Sequence, residues 1–496
     1  MQKQISKVVV LGGGSAGLMA ALTLKKKIPA LKVSVVHSPD IGVIGVGEGT
    51  TLAFPRHFFE FLSINPQSFY LEAEPTWKLG IKFLWGPRPY FFYNFAFEYA
   101  KRIPELKRAP GFYYDSSLPW LDRASAYMLN DKAFPRRKDG LPQFHKNHAF
   151  HIENKKLVGW LDGQCRSAGV EFVEATVKVD GNRDEIKALI TDKGQRIEAD
   201  LFIDASGFRS ELLGRTMREP FCSFADTLFC DRAIIGGWER EDEPIHPYTT
   251  AETMDAGWCW QIEHENYINR GYVYGSDFMD DDKALDELQK KNPRIKTAPR
   301  VIKYRSGRYA RNWVGNVVGI GNAVGFVEPL EATALQVIAV QTSSLADALL
   351  DCLLEPNPSL QGVYNKYNSS QWDDIRDFLA VHYKFNTRLD TPFWQACQND
   401  TPLHSAQSVV DFYRENGPSF LSGNILVDGY NSFGIDGYLA MLVGQNVPHN
   451  KRYTPDASEK QFLKTYREGL SMEAQSQGMG VQDALNAIRD PNAKWA

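Results

Sequence analysis

An α/β fold built on a parallel sheet is the architecture this sequence predicts, and three strand-turn-helix stretches carry the prediction. The first, KVVVLGGGSAGLMAALTLKKK, begins at Lys7: an apolar strand over 8–11, a turn through Gly12, Gly13 and Gly14, then a helix carrying Ala16, Leu18, Ala20, Ala21 and Leu24. The second, ADLFIDASGFRS (199–210), ends an apolar strand in Asp204, followed by Ser206 and Gly207. The third, VVGIGNAVGFVEPLEATALQVIAVQTSSLADALL (317–350), is again strand, turn and helix. Short apolar runs that break at glycine and continue with helical periodicity read as strands buried between helices.

In the first stretch Gly12, Gly14 and Gly17 match GxGxxG in the strand-turn-helix context that gives the motif its meaning. The first glycine permits the tight turn, the second lets backbone approach a pyrophosphate, and the third lets helix and strand pack closely. Ser15 and Ala16 open the helix beside them. The second strand, LKVSVVHS, follows at the expected distance, but His37 stands where an acidic ribose partner is usual, so adenosine contact falls to His37 or Ser38. GVIGVGEGTT (42–51) is a glycine-rich segment soon after, which lets Val46, Gly47, Glu48 and Gly49 run beside a ligand. The 199–210 stretch resembles the second nucleotide-contacting motif of FAD-dependent hydroxylase-like folds, and 317–350 falls where such folds lay a helix start against the flavin ring. Val177, Asp204, Asn322 and Leu335 join the cofactor-side residues. The expected cofactor is FAD, as FADH2. The expected fold is the FAD-binding hydroxylase-like (glutathione-reductase-type Rossmann) α/β fold, with a substrate-side β-sheet and a mostly helical C-terminal module.

That expectation divides the chain into a flavin and substrate-sheet unit over 1–345 and a mainly helical module over 346–496 that covers the substrate pocket. The flavin part is discontinuous, at about 1–85, 150–215 and 305–345. SLADALLDCLLEP reads as a core-facing helix, and 112–145, rich in Pro, Gly and charge, as loop.

With 43% hydrophobic and 23% charged residues the chain is an ordinary globular protein, and a net charge of -4 gives no reason to expect nucleic acid or an anionic membrane as partner. Six cysteines show neither a CxxC pair nor zinc-site spacing, so no metal site is expected and free thiols in a reducing compartment are the simplest reading. The N-terminal apolar run is too short for a signal peptide, and no segment approaches the roughly 18 apolar residues of a membrane span. The expected location is the cytoplasm.

EPTWKLGIKFLW (74–85) is harder to place. At period two, Trp77, Leu79, Ile81, Phe83 and Trp85 share one face of a strand, and Lys78, Gly80, Lys82 and Leu84 the other. Lysines are rarely buried, so both most simply wet an exposed sheet face. Other stretches overturn that reading for one of them.

Together with GGGSAG and RIEADLFIDASGFRS, the stretches GWCWQIE, GFVEPLEATAL and DDIRDFLAVHYKFNTRLDTPFW (373–394) make the chain resemble the flavin-dependent tryptophan halogenase family over most of its length. The resemblance implies that reduced FAD and O2 oxidise a halide to hypohalous acid, which travels through an interior tunnel to an essential lysine. In a motif like FKxxIKF that lysine matches Lys78, while Lys82 stays structural or solvated. Glu331 of FVEPLEATAL matches the family's catalytic glutamate, which supplies negative charge and accepts the ring proton. With Pro329 it also suits the first turn of a helix. Backbone N–H groups at Thr333 and Ala334 would seat the halide. Trp258 and Trp260 match tryptophans that separate flavin from substrate, and Phe92, Asn94 and Phe95 of YFFYNFAF join them on the substrate side.

The chain departs from the family pattern in places. Ala332 and Ala334 replace the serine and glycine of F-x-x-P-x-x-S-x-G, and the methyl at 334 crowds the halide seat. Glu263 replaces the proline of GWxWxIP. Asn431 and Ser432 of DGYNSFGIDGY (428–438), like Asn94 and Ala96, stand where bulkier aromatics are expected, so an electron-rich indole or phenol is a better expected substrate than free tryptophan. No second GxGxxG is present, so a separate NAD(P)H-dependent flavin reductase is expected to supply FADH2; a homo-oligomer is common among relatives. A single-component flavin hydroxylase and a non-catalytic flavin or aromatic-ligand binding protein are the alternatives.

Overall fold

The computed structural model describes residues 4–39, 47–95, 99, 102–144, 146–295, 300–419, 421–424, 426 and 431–490. Val46, Ala96 and residues 428–430, named above, lie outside them. Backbone contacts divide the chain into two compact units, one of residues 1–74, 152–225 and 304–373, the other of 75–151, 226–303 and 374–496.

The first unit is built on a six-stranded sheet in the order Trp313–Val314, Val317–Gly319, Leu201–Asp204, Lys7–Leu11, Lys32–His37, Glu171–Glu174. All neighbours are parallel except the Trp313–Val314 edge. Val8, Val9 and Val10 are wholly buried, as strands covered on both faces must be. Register aligns Leu11 with Asp204 and Val36, and Asp204 with Gly319, so the three sequence-predicted turns leave the sheet at one end. The helices Ser15–Lys27, Asn154–Ser167 and Ala334–Asp351 belong to this unit, and Ser15–Lys27 packs against both others. A three-stranded meander, Val177–Gly181, Ile186–Thr191 and Arg196–Ile197, packs Val177 and Val179 against the Val9, Leu11 and Val36 core.

A seven-stranded sheet organises the second unit, in the order Arg300–Lys303, Arg232–Glu239, Tyr267–Tyr274, Gly257–Glu263, Thr249–Met254, Gly80–Leu84, Phe91–Asn94. It is antiparallel except where Thr249–Met254 runs parallel to Gly80–Leu84. The helices after residue 385, among them Pro392–Asp400, Ala406–Asn416, Gly434–Gly444 and Ala457–Gln477, make the C-terminal part mostly helical. Asp456 opens the last of these with a capping box completed by Glu459. Within 112–145, read as loop, the chain forms a short helix, Arg123–Leu129, capped by Asp122.

The single strand expected over 77–85 is two. Thr76–Lys78 pairs with the start of Ala149–Glu153, setting Lys78 opposite Ala149, whereas Gly80–Leu84 joins the seven-stranded sheet. The break is at Leu79, whose N–H donates to Pro247 O at 2.7 Å and whose carbonyl accepts from Phe95 N at 3.2 Å. Gly80 is needed at the crossing, because a Cβ there would stand 2.4 Å from Tyr93 O. No helix of the described residues is long and apolar enough to cross a membrane.

Candidate active site

In the first unit the glycine-rich turn forms a cradle. Gly12 has φ +128°, and a Cβ on it would meet Ala205 O at 2.2 Å; one on Gly17 would meet Gly12 O at 1.9 Å. These two positions accept nothing larger than glycine. Gly14 is different, because a Cβ on it would have no atom within 4 Å. It precedes Ser15–Lys27 in extended conformation, and no side chain caps that helix. The first N–H groups of this helix thus have no side-chain acceptor beside the open side of Gly14, an arrangement that suits a pyrophosphate. The residues present fit the dinucleotide part of a flavin.

Around this cradle stand most of the other expected cofactor residues. His37 ends its strand half-buried, edge-on to Phe172 at 6.2 Å, with its Cβ 2.9 Å from where a Gly13 side chain would begin. Ser38 Oγ and Thr176 Oγ1 are 3.0 Å apart, beside Val177. Asp204 is buried and saturated: Oδ1 accepts from Ser206 N and Oγ, and Oδ2 from Leu212 and Leu213 N, both at 2.8 Å. Burial raises its pKa while these donors oppose the rise. This carboxylate organises the turn after its strand. Glu48, between Gly47 and Gly49, accepts from the Asn154 side chain, and burial lifts its pKa to about 7. Asn322 lies half-buried in the Gly321–Ala323 turn, whose Gly321 N–H donates to Gln341 Oε1 at 2.8 Å.

The FVEPLEATAL segment differs from the expected helix start. Pro329–Glu331 is a separate 3-10 turn, Ala332 takes the left-handed conformation at φ +55°, and the helix begins at Ala334. Thr333 is buried and precedes the helix without a side-chain cap bond, so the first N–H groups of the helix, at Ala334, Leu335 and Gln336, have no acceptor within it. Such a start is an anion seat by construction. Glu331 is buried at the end of the preceding turn, and the Leu335 side chain is in the core.

In the second unit, Lys78 has 0% exposure, between buried Trp77 and Leu79. Its ammonium lies 5.6 Å from the centre of the Phe95 ring. Lys82 is instead half-buried between Tyr90 and Tyr248, at 4.9 and 5.6 Å, and burial lowers its pKa. Trp258 and Trp260 are buried side by side with centroids 6.0 Å apart; the Trp260 indole lies over Gly271 and donates to Asn269 Oδ1 at 2.7 Å. Phe92 is in a packed cluster with Leu79, Tyr127 and Tyr248. Asn94 is buried and donates to Asp122 Oδ1 at 2.9 Å, on the wall of a cavity of about 20 Å³ that Tyr99, Tyr114 and Tyr466 also line. This space is large enough for one water.

Sequence reasoning missed His151. It is wholly buried, its Nε2 2.8 Å from Thr249 Oγ1, and it faces Thr76 across the strand pair. Burial first, then the Lys78 charge, holds its pKa well below the usual histidine range, so the ring is neutral. In AFHIE, His151 alternates with Ala149 and Glu153, opposite Phe150 and Ile152, so period two sets it on the more polar face and gives no signal of its burial. Glu263 was noted only as a departure. It forms a buried ion pair with Arg240 at 2.5 Å, and its carbonyl accepts from the Thr76 hydroxyl.

A family model for tryptophan halogenase matches residues 7–460. Tryptophan 7-halogenase RebH of Lentzea aerocolonigenes is 31% identical over 493 residues, covering 90% of each chain. Tryptophan 6-halogenase ThaL of Streptomyces albogriseolus is 32% identical over 453 residues, 84% of this chain and 83% of that one. Among solved structures, MibH, a lathipeptide tryptophan 5-halogenase, superposes with a TM-score of 0.85 at 32% identity, over 98% of this chain and 94% of that one. BrvH, a flavin-dependent halogenase from Brevundimonas sp. BAL3, does so at 0.83 and 25% identity, over 98% and 99%. The chain belongs to the tryptophan halogenase family, flavin-dependent enzymes that halogenate aromatic substrates.

Proposed function

We propose that this enzyme is an FADH2-dependent halogenase in which Lys78 directs hypohalous acid onto an electron-rich indole or phenol other than free tryptophan. The observation that carries the reading is the complete burial of the Lys78 ammonium, a placement that costs several kcal/mol of hydration and is rare without a task.

FAD, when bound as FADH2, supplies with O2 the two-electron oxidation of halide to hypohalous acid. The open side of Gly14, with the N–H groups of Ser15 and Ala16, binds the pyrophosphate; His37 and Ser38 stand where the adenosine end is received. The N–H groups at Thr333 and Ala334 hold the halide. Lys78 donates a hydrogen bond to the oxygen of hypohalous acid, or carries the halogen as a haloamine, and fixes which ring carbon it meets. The ring carbon then bonds to halogen as the halogen–oxygen bond breaks, and oxygen leaves as water with a proton from the ammonium. Glu331 takes the proton lost by the ring, so atoms and charge balance. Trp258 and Trp260 wall the substrate side, with Phe92, Asn94 and Phe95. Asn94, held by Asp122, and Asn431 and Ser432 support a substrate without the grip that free tryptophan needs.

None of the six cysteines is in a disulfide, which supports a reducing, cytoplasmic setting, and a separate NAD(P)H-dependent reductase supplies the flavin. The test is to incubate the enzyme with FAD, a flavin reductase, NADH and chloride, bromide or iodide across a panel of indoles and phenols, and to identify products by mass spectrometry. Halide-dependent halogenated product is expected. Oxygenated product without halide would mark a hydroxylase, and absence of turnover with FAD bound would mark a binding protein.

A further inference from the structure

Gln336 is not among the residues assigned to cofactor, halide or substrate. It is the third residue of the Ala334–Asp351 helix and only 7% exposed. Its Oε1 accepts from Thr51 Oγ1 at 2.7 Å, and Thr51 Oγ1 accepts in turn from Ala53 N at 3.3 Å. In this arrangement the carboxamide turns its oxygen toward the Thr51 hydroxyl. Nε2 is left withdrawn from solvent with no acceptor among the described residues. Buried donors in this state are few in native proteins, and an ordered water or an ion is a common partner for them.

The position favours an ion. A glutamine at the third place of a helix reaches back toward its start, the geometry used by capping boxes. Here the same start, whose Thr333 and Ala334 N–H groups are read as the halide seat, has no side-chain cap from Thr333. A buried amide N–H thus belongs to the first turn of a helix whose backbone donors and dipole favour an anion. The Ala334 methyl takes room at that start that a glycine would leave open, and a donor reaching in from the side of the helix restores a contact.

We propose that Gln336 Nε2 is a halide-contacting donor at the start of this helix, held in place by Thr51. The inference rests on the reading of Thr333 and Ala334 as the halide seat. Because Thr51 continues the Gly47–Gly49 segment on the expected cofactor side, halide occupancy is transmitted to flavin through this bond.

The experiment is a bromide titration of FAD-bound protein, followed by flavin absorbance and fluorescence, on wild type, Gln336→Met and Gln336→Glu. Methionine keeps the unbranched shape and removes both the donor and the Thr51 acceptor; glutamate keeps the acceptor and replaces the donor with a like charge. Expected is an increase of about tenfold in the bromide midpoint for Gln336→Met, loss of the response for Gln336→Glu, and FAD affinity within about twofold of wild type in Gln336→Met. An unchanged midpoint in Gln336→Met, or a tenfold loss of FAD affinity with the bromide midpoint kept, overturns the inference, the latter assigning the donor to flavin. If wild type halogenates and Gln336→Met is unchanged, only this inference falls. A wild type with no halide response and no product overturns the proposed function as well.

Discussion

The Lys78 ammonium stands 5.6 Å from the centre of the Phe95 ring, on a strand from which solvent is fully excluded. A cation at that distance from an aromatic face is held by about 0.5–2 kcal/mol, enough to restrict the amine's rotamers but not enough to hold it buried alone. Phe95→Leu is expected to retain FAD binding and lower the halogenation rate several-fold. Regioselectivity should loosen as the amine gains freedom, read as the ratio of product isomers by chromatography.

Two glycines of the cradle separate cofactor binding from folding. A methyl on Gly14 meets no protein atom within 4 Å, whereas one on Gly17 meets Gly12 O at 1.9 Å. Gly14→Ala is therefore expected to keep its melting temperature and weaken FAD binding by about tenfold or more, measured by fluorescence titration. Gly17→Ala is expected to lower the melting temperature of the apo protein itself.

Two buried groups in the first unit titrate in opposite senses. His57, between Thr23 and Ser343, has its pKa lowered to about 4 by burial and then by Lys27. Its unfolded form binds a proton below about 6.5 and its folded form does not, so stability falls as pH drops from 6.5 toward 4, by up to about 3 kcal/mol. Glu48, raised to about 7 by burial, does the reverse: its contribution is fully present below about 4.5 and is lost as pH rises through 7. Melting curves of the apo protein from pH 5 to 8 are expected to lose their acid-side decline in His57→Gln and their alkaline-side decline in Glu48→Gln.

Arg240 and Glu263 form a buried pair, 6% and 1% exposed, and Arg240 also donates to the carbonyls of Glu243, Pro244, His264 and Glu265. Removing one partner leaves a charge indoors, so Glu263→Ala is expected to destabilise the protein by about 3–5 kcal/mol in urea unfolding. Thr76→Val, which removes only the hydroxyl bond to Glu263 O, is expected to cost about 1 kcal/mol.

What was legible in the sequence was local. The turn at Gly12, the strand ending in Asp204 and the helix after Val317 are each specified within a few residues, and the parallel sheet aligns them as the pattern requires. The break at Leu79 was not legible, because its cause is distant: Pro247 and Phe95 take the backbone bonds of Leu79 and divert the chain into another sheet. Alternation continues through the break, so periodicity reads one strand. The helix start shifted from Pro329 to Ala334 because Ala332 adopts a left-handed conformation that alanine rarely takes. His151 and the Arg240 partner of Glu263 depend on pairings across roughly 70 and 20 residues, which no spacing in the chain announces.

In the proposed mechanism the buried amine at 78 directs the oxidised halogen. The most direct measurement of this role is the yield of halogenated product from Lys78→Met, supplied with flavin reductase, NADH, FAD and bromide, alongside FAD affinity on the same sample. FAD affinity within about twofold of wild type is expected, with no halogenated product above the enzyme-free control. Product in the same amount and isomer ratio as wild type would contradict it.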